Sequence, residues 1–290
     1  MPTLPLLSWF RRDVRHQVAL VLVAVWVAAI AHFRDPRTFF IPLATIIVGT
    51  LAAAAYFRWR GRPQFPSSAL VTSLLVGLNL SPWESVGPIL AAVVIGGASK
   101  FLRWPIRRHW FNPAAFGIVV AGVLFGLPGA WWAVSWSWIP SAILLIGMIP
   151  ILRRLRRLWL PTTFLIVYTG WIGLVVGEIG PALRQLVDGT VLLFALVMLP
   201  EPVASPANRA WKYVFGALVA GLVIAVSVGQ KLLPIPIEAF LLSLLLANAI
   251  AALVQAWMNW RARAGGKSAQ DGSITGIPTK LDTKSLKPLV

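Results

Sequence analysis

Few residues in this chain are equipped for chemistry, because most of it is apolar. Three asparagines stand out. Asn79 closes a short apolar run, Asn112 sits in Phe111-Asn112-Pro113-Ala114-Ala115, and Asn248 lies inside the long apolar run around Leu246-Ala247-Asn248-Ala249. A carboxamide surrounded by hydrocarbon needs hydrogen-bond partners. Those partners are either neighbouring helices, with the amide as interhelical glue, or the polar edge of a flat heterocycle or quinone. Ser68 and Thr72 are four apart and share one helical face. Their hydroxyls either bond back to their own helix or line a site. Glu201 and Ser205 sit in the Pro-rich stretch Leu199 to Pro206. Spacing reveals no nucleophile–base pair, so no catalytic residue is assigned. His16, His32 and His109 stand at the ends of apolar runs, and neither a metal-ligand cluster nor a Gly-rich phosphate loop is present. No metal site is expected. The chain has no Cys, which excludes thiolate-held clusters and a Cys nucleophile.

These groups must be held by membrane helices. Of 290 residues, 58% are hydrophobic and 12% charged, against roughly 25% charged in soluble domains. The charges cluster between ten apolar segments, at about 17–33, 39–57, 67–80, 86–102, 113–128, 136–152, 159–177, 189–200, 212–230 and 236–258. The fold class is therefore an all-α polytopic membrane protein. The expected organisation is a cytoplasmic segment 1–16, a transmembrane domain 17–258 and a basic tail 259–290. The Gly-, Ser- and Lys-rich tail is expected to be disordered near anionic headgroups. Alternating the segments from a cytoplasmic N-terminus puts 22 of the 26 Lys and Arg residues on the inner side. The positive-inside rule then places both termini in the cytoplasm and the protein in the cell (inner) membrane. The net charge of +17 reads as cytoplasmic loops facing the lipid bilayer, not as a nucleic-acid surface. No ionisable residue falls at the centre of a segment, where ion carriers usually keep one.

Two segments are too short to span. Ser67 to Leu80 and Gly189 to Pro200 fall well below the ~20 residues a crossing needs, and both run into Pro-containing turns. They are the third and eighth of ten. Two halves of five, about 17–128 and 136–258, would have opposite topology, and short broken helices at matching positions of an inverted repeat point to a central site. The alternative is two tilted helices with no site. Asn112 before Pro113 predicts an N-cap and first helical turn. Gly122-x-x-x-Gly126 and Gly173-x-x-x-Gly177 suggest close helix packing. Trp131, Trp132, Trp136 and Trp138 crowd one loop, as an interfacial belt or as a stacking surface for a flavin or quinone ring.

At this point the chain resembles a known family, the RnfD subunits of Rnf complexes and the NqrB subunits of sodium-pumping NADH:quinone oxidoreductase. Four stretches carry the resemblance. Ser68-Ala69-Leu70-Val71-Thr72-Ser73-Leu74-Leu75 is similar to an S-A-L-(V/I)-T-G-L-L helix. Phe111-Asn112-Pro113-Ala114-Ala115 matches an F-N-P-A segment. Phe194 to Pro206, FALVMLPEPVASP, is similar to F-F-M-A-T-D-P-V-T-S-P, with Glu201 in place of Asp. Leu244-Leu245-Leu246-Ala247-Asn248 resembles a late L-L-x-N helix. The resemblance implies ten spans in two inverted halves and an electron-transfer membrane core. It also implies FMN esterified to a Thr in an S-G-A-T motif, and coupling to Na⁺ or H⁺ movement. No S-G-A-T occurs in this sequence, so covalent FMN is not expected.

The reading is a membrane subunit of an electron-transport complex, rather than a stand-alone enzyme, passing electrons through flavin or quinone. The cofactor would be non-covalent FMN or riboflavin, held by Ser68, Thr72, Asn112, Glu201, Ser205 and Asn248. The partners would be other membrane or cytoplasmic redox subunits. The competing readings are a small-molecule or ion permease on the same repeat, and a non-catalytic anchor for a soluble oxidoreductase.

Overall fold

Caps and prolines decide where the helices of this protein begin, break and end. The computed structural model describes residues 13–61, 66–102, 109–206, 208–232 and 237–264. The tail from 265 onward and several predicted basic positions, Arg103, Arg107 and Arg108 among them, lie outside these ranges. The helices are α1 (Val14–Phe33), α2 (Arg37–Trp59), α3 (Ser67–Asn79), α4 (Val86–Ala98, extended by a 3₁₀ turn at Ser99–Phe101), α5 (Pro113–Phe125), α6 (Trp138–Arg154), α7 (Trp159–Val176), α8 (Ile179–Arg184), α9 (Gly189–Leu193, continued by a π-turn at Phe194–Met198), α10 (Arg209–Leu232) and α11 (Ala239–Ala264). No strand occurs among the described residues; the protein is all-α.

Side-chain caps start several helices as their sequences suggest. Asp13 accepts from Arg15 N–H ahead of α1, and Ser137 caps α6. Asp188 caps α9 by accepting from Val191 N–H at 3.0 Å. Asn112 accepts from Ala114 and Ala115 N–H, with Pro113 as the first helical residue of α5. Within α2, Pro42 has no N–H to give the Thr38 carbonyl. The Trp26 indole of α1 supplies the missing donor at 2.7 Å.

Each of the ten predicted segments coincides with a helix, in order; the eighth, 189–200, is α9 with its π-turn, and the short α8 before it was not predicted. Five of them, α1, α2, α7, α10 and α11, are long and apolar enough to cross a membrane. The bent pair across residues 179–198, with an angle of 52°, makes a sixth candidate. The third segment is short, as the turn at Pro82 requires. The fourth runs to Phe101 through its 3₁₀ turn, as expected over 86–102, while the fifth, expected over 113–128, has 13 residues and ends at Phe125. Gly126 at φ +70 stops α5 in the left-handed conformation that ends helices. Gly177 at φ +72 stops α7 in the same way. The second glycine of each Gly-x-x-x-Gly pair is thus a terminator and not part of a packing seam. Close approach occurs instead between α4 and α5. A Cβ on Gly117 would lie 2.1 Å from the Ala92 carbonyl oxygen, and one on Gly96 2.4 Å from that of Pro113.

The packing repeats between the halves. The first helix of each half packs on the third (α1 on α3, α6 on α9), the second on the fourth (α2 on α4, α7 on α10) and the fourth on the fifth (α4 on α5, α10 on α11). Across the halves α1 meets α6 and α5 meets α11. This pattern is compatible with the expected five-helix repeat. Lipid-facing positions such as Leu51, Ile146 and Leu174 are exposed, while Leu22, Leu74, Phe164 and Phe194 fill the centre. Apolar exposure of this kind suits a hydrocarbon surround.

Candidate functional site

A cavity of about 530 Å³ opens between α2, α3 and α4 at the end of the bundle that carries Arg15, Lys100 and His109. Its wall includes two residues expected from sequence, Ser68 and Thr72, together with Ser73. Thr72 Oγ1 donates to the Ser68 carbonyl at 2.8 Å, so this hydroxyl does bond back to its helix while still lining the space. Ser73 differs. It is 1% exposed, and its hydroxyl has no hydrogen-bond partner. It can sit there because Gly49 opposite has no side chain, and a Cβ at 49 would fall 2.0 Å from Ser73 Oγ. A buried hydroxyl without a partner costs about 1–3 kcal/mol, and a ligand can recover that cost. At the rim, Tyr56 of α2 and Phe101 after α4 meet edge-to-face at 4.8 Å.

The cavity floor is tied to the start of the chain. Asp13 Oδ2 accepts from Ser67 Oγ at 2.8 Å, joining the beginnings of α1 and α3. Burial alone would raise the Asp13 carboxyl. The Arg15 N–H, the Ser67 hydroxyl and the Arg15 and His16 charges outweigh it and hold the group below the usual carboxylate range. His109 Nδ1 lies 2.9 Å from the Lys100 carbonyl oxygen, fixing the segment before α5 against the end of α4.

A second constellation brings together Asn112, Glu201 and Ser205. Pro202 has no N–H to offer the Met198 carbonyl four residues earlier. Asn112 Nδ2 donates to that oxygen at 3.0 Å, while its Oδ1 caps α5. Asn112 therefore welds the fifth segment to the broken eighth, and both ends of its amide are used structurally. Ser205 Oγ donates to the Glu201 carbonyl at 2.6 Å. Arg157, 7% exposed, reaches across from the α6–α7 loop to Ser205 Oγ and to the Pro200 and Pro202 carbonyls. Nothing in the sequence singled out Arg157 from the other arginines beside it. Glu201 Oε2 is buried without a partner. Burial pushes this carboxyl up to about 7, against the pull of Lys100, Arg15 and Arg157.

Asn248 stands apart. It is 1% exposed and neither of its amide atoms has a hydrogen-bond partner, but it is not among the residues lining the cavity. The tryptophan loop is also different from a simple interfacial belt. Trp138 is 73% exposed, as a belt residue is, but Trp131 and Trp132 are only 5% and 4% exposed. The reason is the end of α3, whose carbonyls need donors. Trp132 Nε1 donates to Gly77 O at 2.9 Å, and Ala130 and Trp131 N–H to Asn79 O at 3.0 and 2.9 Å.

Comparison with known proteins finds similarity over part of the chain. Residues 123–263, just under half of the chain, match the NQR2, RnfD, RnfE family. Over 120 residues the chain is 31% identical to the D subunit of the ion-translocating oxidoreductase complex of Cronobacter sakazakii. That alignment covers 40% of this chain and 33% of the relative, so the chain matches about a third of that relative's length. Glu201, Ser205 and Asn248 fall inside the family match, whereas Asn112 and the cavity residues of α2, α3 and α4 precede it. With its bundle of apolar helices the chain is a multi-pass membrane protein, and its residues 123–263 are similar to the NQR2, RnfD, RnfE family.

Proposed function

We propose that the protein is an inner-membrane subunit of an ion-translocating oxidoreductase complex, and that the cavity between α2, α3 and α4 holds a non-covalent flavin or a quinone. The observation that carries the reading is the unpartnered, buried Ser73 hydroxyl facing Gly49 in a space of about 530 Å³. That volume lies within the range of cofactor sites. Ser68, Thr72 and Ser73 supply hydroxyls for the polar edge of a flat ring, and Arg15 and Lys100 supply positive charge beside it. A flavin or quinone bound there contributes one- and two-electron redox chemistry. The chain's own residues bind and orient the ring and exclude water. Glu201, which feels the charges of Lys100, Arg15 and Arg157, exchanges a proton or cation as charge arrives in the cavity.

The family match and the relative's place in a multi-subunit complex support other redox subunits as partners. The basic end of the bundle offers a face for a cytoplasmic one. The test is purification from native membranes in mild detergent. The extract of denatured protein is then analysed for flavin and quinone. The expected result is about one flavin or quinone per chain, reduced at least fivefold by Ser73→Leu, which intrudes on the cavity. Wild-type protein that is correctly folded and free of both overturns the reading.

A further inference from the structure

The turn that joins α6 to α7 carries charge that the cavity does not use. Arg153, Arg154 and Arg156 are exposed there, beside the buried Arg157. Helix α6 ends in a Schellman turn. Arg157 N–H donates to the Leu152 carbonyl at 2.9 Å, and Arg156 N–H to that of Arg153 at 3.0 Å. This puts Arg156 in the left-handed conformation, at φ +54. Glycine is the ordinary residue at that point, because a Cβ is strained there. Arg34 ends α1 in the same conformation, at φ +53, at the opposite end of the bundle. The strained turn is tied to α10. Lys212 Nζ donates to the Arg156 carbonyl at 3.0 Å, and the rings of Trp159 and Tyr213 meet at 5.3 Å. Gly216 lets α10 lie close against α7, since a Cβ there would fall 2.6 Å from the Leu160 carbonyl oxygen.

The charge on this corner is one-sided. The Arg157 charge acts on Lys212, and among the described residues no carboxylate does. Glu201 feels Lys100, Arg15 and Arg157, but not Arg153 or Arg156. Guanidinium groups grip phosphate oxygens through their paired N–H donors. Next to them the surface turns apolar. Trp159 and Trp211 are exposed at the starts of α7 and α10, as aromatic residues at a membrane interface are. Ile166, seven residues after Trp159, and Val214, three after Trp211, continue the same helical faces and are exposed as well. A partner that meets arginine at one end and apolar helix along its length is both anionic and amphipathic. An acidic soluble protein satisfies the first requirement and not the second. Basic corners between membrane helices are suited to anionic lipid headgroups for this reason.

We propose that Arg153 and Arg156, with Trp159 and Trp211 beside them, bind the phosphate headgroup of an anionic phospholipid whose acyl chains lie along α7 and α10. The site is independent of the cavity and of any redox ligand. It is tested on the purified, delipidated protein, titrated in mild detergent with phosphatidylglycerol, cardiolipin, phosphatidylcholine or inorganic phosphate. Bound lipid is counted by mass spectrometry of the intact complex, and the unfolding midpoint is read alongside. The expected result is saturable retention of phosphatidylglycerol or cardiolipin, with a rise in midpoint that phosphatidylcholine and inorganic phosphate do not reproduce. Arg156→Gly removes the side chain, keeps the carbonyl for Lys212 and relaxes the turn. It lowers retention of the anionic lipid about fivefold, the effect of roughly one basic contact, while the lipid-free midpoint stays at or above that of the wild type. Arg153→Gln lowers retention by a similar factor. Arg34→Gly makes the same relaxation at the other end of the bundle and leaves retention unchanged. If the Arg156→Gly midpoint falls, Arg153→Gln decides alone. Equal retention of anionic lipid and phosphatidylcholine, wild-type retention by the deciding variant, or an equal loss in Arg34→Gly overturns the site. A midpoint raised equally by inorganic phosphate overturns it in favour of a free-anion site. A midpoint raised by a soluble Glu-rich peptide and not by lipid overturns it in favour of an acidic protein partner.

Discussion

Asn112 Nδ2 donates to the Met198 carbonyl at 3.0 Å, joining residues 86 positions apart. The same side chain caps α5 through its oxygen. One amide thus repairs two defects, the free N–H groups at the start of one helix and the carbonyl that Pro202 leaves without a donor. Asn112→Ala removes both functions. The expected loss of stability is about 2–4 kcal/mol, a cap plus an orphaned buried acceptor. Asn112→Ser keeps a cap but is too short for Met198, and is expected to lose roughly half as much. Detergent-titrated unfolding of the two variants checks the ratio.

The Arg157 guanidinium bonds to three acceptors on one turn, Ser205 Oγ and the Pro200 and Pro202 carbonyls. Lysine has the charge but not the planar fork. Arg157→Lys is therefore expected to cost at least about 2 kcal/mol, in line with lost hydrogen bonds to a charged donor. It should also open the 200–206 turn to limited proteolysis while α10 and α11 stay protected. A variant as stable and as protease-resistant as the wild type would show that the turn holds itself.

Glu201 carries a pH signature. Its folded carboxyl is raised to about 7 from the ordinary value of 4.5. The folded state therefore binds more protons than the unfolded chain between these values, and stability falls as pH rises through that window. Glu201→Gln is expected to flatten the decline in unfolding midpoint between about pH 5 and pH 8. Asp13 acts in the opposite sense. Its carboxyl is held low, so its contribution is present at neutral pH and is lost as pH falls through the folded value. Asp13→Asn should reduce sensitivity below about pH 4, read from the same midpoints.

Ser73 and Gly49 are coupled through a distance of 2.0 Å between Ser73 Oγ and a Cβ at position 49. Gly49→Ala is expected to cost about 1–3 kcal/mol by overpacking. Ser73→Ala should stabilise the fold by up to about 1–3 kcal/mol, because the buried hydroxyl it removes has no partner. In the double variant part of the Gly49→Ala loss should return. The return is partial, since Val93 Cγ1 would still lie 2.7 Å from the new Cβ. A double-mutant cycle measures this coupling directly.

Much of the architecture is written in the order of the residues. Ten apolar segments separated by charge, turns at Pro82 and Pro202, and the Asn112-Pro113 cap are local facts, and local hydrogen bonding and hydrocarbon solvation act on them directly. The sequence also brought Ser68 and Thr72 into view, because a four-residue spacing fixes a shared face. What it left open depends on partners distant in the chain. Gly126 and Gly177 fit a packing motif by spacing, but their backbone angles make them helix ends. Trp131 and Trp132 suit a membrane belt by composition, but the unpaired carbonyls of α3 draw their loop inward. Whether Ser73 is satisfied depends on Gly49 across the cavity, and whether Glu201 is balanced depends on which bases the fold brings near. Burial and long-range pairing are properties of the packed bundle, and only the tertiary structure sets them.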